Sequence, residues 1–178
     1  MLFHACTKCD LNGDVVLSDS FDEKGDWLLY GEVVDPNQLV IVEDGMLKMK
    51  TNDTGNCVRA TYYFTNDFSN IKGFKACFHV NEFHTPKYQS AHFYIRIGKY
   101  ELHATIGKRQ SSNTALFLKM DKGGPRSNLR GAVYGNINHE ELNNFDTSFV
   151  QIALCPEEFE SSTGELYLEI DKVEIVTY

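Results

Sequence analysis

The stretch AHFYIRIGKYELHATIG, residues 91–107, sends His92, Tyr94 and Arg96 to one face and Phe93, Ile95 and Ile97 to the other. Alternation with a period of two marks a strand with one buried and one wet side. The segment therefore reads as one long strand, or as two short paired strands about a turn at IGK, residues 97–99. Similar runs recur, and strands are predicted near 14–20, 38–42, 46–51, 56–64, 72–82, 90–98, 100–106, 114–120, 130–134, 148–155 and 165–177. Turn residues punctuate them at EDG before Met46, at NDTGN (52–56) and at DKGGPRSN (121–128), where Gly and Pro argue against a continuing strand. The one helical candidate is NHEELNNF, residues 138–145.

Successive parallel strands need a crossover connection, usually a helix. Without such helices the predicted fold is all-β, an antiparallel β-sandwich spanning residues 14–178 as a single domain behind an N-terminal segment, 1–13. Two packed sheets would bury Phe74, Ala76, Phe78 and Val80 against Phe93, Ile95 and Ile97. They would leave Lys75, Cys77, His79 and Asn81 beside His92, Tyr94 and Arg96 on one outer face.

The 178 residues allow one sizeable core, and the chain is 42% hydrophobic and 24% charged, near the average of globular proteins. No apolar run is long enough for a membrane span. A net charge of −8 argues against nucleic acid as a partner, because a phosphate backbone is bound chiefly through Lys and Arg. A neutral or cationic small partner is easier to accommodate.

The chain has five cysteines. Cys6 and Cys9 form a lone C-x-x-C without the partners of a zinc or redox site. Cys57, Cys77 and Cys155 lie within apolar strand patterns and read as free, buried small hydrophobes. The opening MLFHAC has the small residue before cysteine that ends a bacterial lipoprotein signal, so export is expected, with Cys6 as the formerly lipidated residue and an extracytoplasmic location.

The run LSDSFDEKGDW followed by LVIVEDGMLKMKT resembles the opening of concanavalin A-like (laminin-G-like) jelly-roll domains of glycan-active and glycan-binding proteins, through Phe21, Asp22, Trp27, Asp44, Gly45 and Leu47. The closing GELYLEIDKVEIVTY is similar to their last strand. The chain also resembles the domain family linked to hydrolysis of 3-keto-disaccharides, whose opening is the same. The resemblance implies a jelly roll of concanavalin A-like type and a carbohydrate partner. It also implies a structural calcium site near the first and last strands, with Asp19, Asp22 and Asp171 as oxygen ligands. The R-x-E and Q-I-H pairings of alginate lyases with this fold are absent.

Glycoside hydrolysis needs two carboxyl groups across a cleft, and only Glu82 and Glu101 are placed to contribute. A β-elimination lyase wants a Tyr or His base with a cation for the uronate, types that His79, Tyr94, Arg96 and His103 supply. Binding needs less: an aromatic face for the sugar ring and planar polar groups for its hydroxyls. His79, Asn81, His92, Tyr94, Arg96 and Trp27 provide that set. The expected function is non-catalytic carbohydrate binding, with no catalytic residue assigned; a hydrolase or lyase on the same scaffold is the alternative, and a protein-interaction domain the second.

Overall fold

The computed structural model describes residues 12–31, 38–51, 57–68, 70–85, 90–97, 100–107, 114–119, 124–136, 147–155 and 165–178. Twelve strands run through them: β1 (Asp14–Asp19), β2 (Leu28–Tyr30), β3 (Leu39–Glu43), β4 (Met46–Thr51), β5 (Val58–Tyr63), β6 (Gly73–Thr85), β7 (Ser90–Ile97), β8 (Tyr100–Gly107), β9 (Thr114–Lys119), β10 (Gly124–Asn136), β11 (Phe149–Leu154) and β12 (Leu166–Thr177). The helical candidate at 138–145, the C-x-x-C and the MLFHAC opening lie outside the described residues.

The strands form two six-stranded sheets. One, the β6 sheet, has the order β10-β6-β12-β4-β3, and β1 joins it along the second half of β12. The other, the β7 sheet, has the order β2-β5-β11-β7-β8-β9. All pairings are antiparallel except that of β8 with β9, which is parallel. The twelve-residue β12 organises its sheet. Its first half pairs with β4, its second half with β1, and its other edge follows β6 through two register shifts.

Alternation decides what enters the space between the sheets. From the β6 sheet come Phe74, Ala76, Phe78, Leu168, Ile170 and Ile175; from the β7 sheet come Phe93, Ile95, Ile97, Leu102 and Ile152, all at most 1% exposed. Phe78 and Phe93 meet across the interior with ring centroids 4.6 Å apart. The buried halves of the quoted stretch and of the FKACFHV run are therefore the core.

Local chemistry sets the ends. Asp44 and Gly45 both adopt positive φ, 54° and 70°, the backbone of a two-residue hairpin loop, so that Glu43 faces Met46 across β3 and β4. After β1 the chain turns at Phe21, held at φ 57° because its N–H donates to the Asp19 Oδ1 at 2.7 Å. Asp19 Oδ2 accepts the Trp27 Nε1–H, also at 2.7 Å. The indole is completely buried and packs on Phe21 and Tyr62, with centroids 5.4 and 5.7 Å away. A buried indole N–H without an acceptor is costly, and the Asp19 carboxylate removes that cost.

Four expectations need correction. The LLY strand, β2, went unread because three residues show too little alternation to register. Strand β10 begins at Gly124 and runs through Pro125, inside the expected loop; as the outermost strand it tolerates a residue without an N–H. Cys57, Cys77 and Cys155 are not free: Cys57 and Cys155 form a disulfide across β5 and β11, and Cys77 is also disulfide-bonded. And β6 and β7 belong to opposite sheets, so His79 and Asn81 face away from the opposite side of the sandwich to His92, Tyr94 and Arg96.

Candidate functional site

The outward side of the β7 sheet is built from three cross-strand rows. Register places Tyr30 beside Arg59, then Ala153, His92 and Thr105. The next row runs Leu28, Thr61, Gln151, Tyr94 and His103. The third runs Tyr63, Phe149, Arg96 and Glu101. Strand β5, VRATYY, supplies the exposed Arg59 and Tyr63 and the buried Thr61 to the same face.

This face is a ladder of planar groups. Tyr94 and His103 stack at 4.3 Å and 17°, and His92 Nδ1 lies 3.1 Å from His103 Nε2, one ring donating and the other accepting. Arg96 donates to Glu101 Oε2 through Nε and a terminal nitrogen, at 3.2 and 2.9 Å, and its guanidinium lies 5.4 Å from the Phe149 ring centroid. Gln151 Nε2 donates to Thr61 Oγ1 at 3.0 Å. The His92 end is enclosed, with His92 at 2% and Thr105 at 0% exposed. Toward β2 and β5 the face opens: Leu28, Tyr30 and Tyr63 are 43%, 48% and 43% exposed.

Burial fixes the protonation states. It holds the His92 imidazole down to about 4, with help from the His103 charge, and it lowers His103 against an opposing pull from Glu101. Both rings are therefore neutral near pH 7. Burial also raises the Tyr94 phenol, as does Glu101, while the Arg59 charge draws it back. That coupling across β11 places Arg59 within electrostatic reach of Tyr94.

The remaining sequence candidates fall elsewhere. Trp27 is a core residue with its indole N–H bonded to Asp19, so it offers no stacking surface to a ligand. On the β6 sheet, Asn81 Nδ2 donates to Glu169 Oε2 at 2.7 Å, and the Tyr167 hydroxyl donates to the other oxygen of that carboxylate. Glu82 opposes Glu169 on β12, whereas Glu101 pairs with Arg96 on the other sheet, so the two acids do not share a cleft. His79 joins Cys77 and Glu174 in a group whose donor atoms lie within 4.8 Å of one another. A cysteine in a disulfide has no thiolate to give, which leaves that group short of a ligand.

Asp19, Asp22 and Asp171 are not among the described residues whose donors converge in a group of three. Asp19 is turned to the Phe21 and Trp27 N–H groups, Asp22 accepts from the Ser20 hydroxyl at 2.7 Å, and Asp171 is an exposed residue at the β12 register shift.

No family model and no curated protein matches the chain. Among solved structures, the chain is similar to one from a study of endo-acting O-glycanases that prominent members of the human gut microbiota express to initiate mucin breakdown. The TM-score is 0.50 at 13% identity, over 92% of this chain and 99% of that one. At that identity the likeness is one of fold, and it agrees with the two packed β-sheets.

Proposed function

We propose that the protein binds carbohydrate, without turnover, on the outward side of the β7 sheet, and that its sandwich is of the concanavalin A-like type. The observation that carries this reading is the grouping of Tyr30, Tyr63 and Leu28, each more than two-fifths exposed, on the face that also presents Tyr94 and Gln151. Exposed apolar area gathered on one face marks a surface that meets a partner. Aromatic faces interleaved with planar hydrogen-bonding groups suit the two sides of a sugar ring. The structural neighbour comes from work on mucin-degrading O-glycanases, which supports a glycan partner. The disulfides support an extracytoplasmic location, since such bonds persist in oxidising compartments.

The test is a glycan array with neutral, uronic and sulfated oligosaccharides, followed by calorimetry on any hit. Tyr30→Ala, Tyr63→Ala and Tyr94→Ala should each weaken binding by about ten-fold, the loss of one stacking contact. Asn81→Ala and His79→Ala, on the other sheet, should leave it unchanged. A folded protein that binds no glycan would refute the reading.

A second reading is favoured by one observation, the stacking of Tyr94 on His103 with His92 bonded behind it. A tyrosine and an imidazole beside Arg96 are the parts of a β-elimination lyase. Incubation with uronate polymers, followed by the ultraviolet absorbance of an unsaturated product, separates this reading from simple binding.

A further inference from the structure

Whole-chain charge and local charge disagree on the outward side of the β7 sheet. The chain carries −8. Yet among the described residues of β2, β5, β11, β7 and β8, the charged side chains on this face are Arg59, Arg96 and Glu101. Glu101 is committed to Arg96 at 2.9 Å. Arg59 is exposed and has no ion-pair partner among the described residues. It stands between Tyr30 on one neighbouring strand and Ala153 on the other. Two strands away, on β7, the Tyr94 phenol feels the Arg59 charge.

We infer that this face selects anionic saccharides, with Arg59 receiving a carboxylate or sulfate of a sugar whose ring stacks on Tyr30 or Tyr94. This rests on the carbohydrate-binding reading above and narrows its ligand class. Three facts converge on it. A planar guanidinium presents paired N–H donors matched to a carboxylate or a sulfate. Flanking aromatic rings hold the sugar body while the acid group is bound. And an acidic protein repels anions over most of its surface, so a locally cationic patch is where an anion can dock. The net charge had suggested a neutral or cationic partner; the register of β5 reverses that expectation on this face.

The test is calorimetry with matched probes: a hexauronate, its carboxyl-reduced neutral counterpart, and a sulfated form of that neutral hexasaccharide. The protein should bind one of the anionic probes about ten-fold more tightly than the neutral one, with the preference shrinking as salt rises. Which anionic probe wins tells carboxylate from sulfate. Arg59→Gln should erase the preference, so that anionic and neutral probes bind alike, and Arg59→Lys should restore part of it. Equal affinity for neutral and anionic probes, or a preference untouched by Arg59→Gln, overturns this inference and leaves glycan binding standing. Absence of binding to all three probes overturns this inference, and if the glycan array also yields no hit it overturns both.

Discussion

The two outward faces of the sandwich obey the same alternation and end in different states. On the β6 sheet the described polar groups are largely spent on one another: Lys50 on Glu165, Lys172 on Glu174, Lys48 on Glu43 and Asp44, and Asn81 and Tyr167 on Glu169. On the β7 sheet Arg96 and Glu101 pair in the same way, but Tyr30, Tyr63, Leu28 and Arg59 are left to solvent. Alternation makes a face, then, and what the neighbouring strand offers each side chain decides whether that face is closed or open to a partner.

The largest test of the contrast concerns the disulfide. Cys57 and Cys155 close a span of 98 residues, and both lie at the ends of strands in the β7 sheet. A loop of that length constrains the unfolded chain by about 4–5 kcal/mol, so the paired substitution Cys57→Ala and Cys155→Ala should lower unfolding stability by an amount of that order. Urea titration reads the total. Amide exchange should show Ala60 and Ile152, which face each other across β5 and β11, opening before Phe78 and Ile175 in the β6 sheet. Equal loosening of both sheets would show that they do not differ in how they are held.

Acid comes next. His92 is held neutral in the folded protein down to about 4, whereas the unfolded chain takes up the proton near its ordinary value of 6.5. Its contribution is therefore complete above pH 6.5 and falls away as pH drops toward 4, by about 3 kcal/mol. His103, also lowered, shares the titration through their hydrogen bond. Relative to the parent, His92→Phe should flatten the stability profile between those limits. A parent and variant with the same slope would mean that His92 is not kept neutral by the fold.

The smallest effect is expected on the closed face. Lys50 and Glu165 are 32% and 43% exposed, so their attraction is screened, and Lys50→Ala should cost about 0.5 kcal/mol and leave glycan affinity unchanged. A large loss of affinity in that variant would move the ligand to the β6 sheet.

The sequence disclosed inside and outside but not which sheet. HFYIRI and FKACFHV each alternate cleanly, and their buried halves were read correctly; Phe78 and Phe93 do meet in the core. The same pattern is silent on whether two strands are neighbours or face each other across that core, so His79 and Asn81 were grouped with Tyr94 although a whole sandwich separates them. Trp27 carried no mark of its depth, because an indole serves a core or a sugar equally well; Asp19, eight residues earlier, is what ties it inward. The Cys57–Cys155 bond depends on β5 and β11 lying side by side, a long-range pairing that spacing does not encode. Arg59 and Tyr63 were legible as alternating residues of VRATYY, but nothing local showed that β5 would share a face with β7.

The most direct test of the central claim is a backbone-amide shift titration with an oligosaccharide hit from the glycan array. Perturbations confined to Tyr30, Arg59, Tyr63, Gln151, Tyr94 and His103, falling off toward β6 and β12, are the expected result. Perturbations centred on His79, Asn81 and Glu169 would contradict it and place the ligand on the opposite sheet.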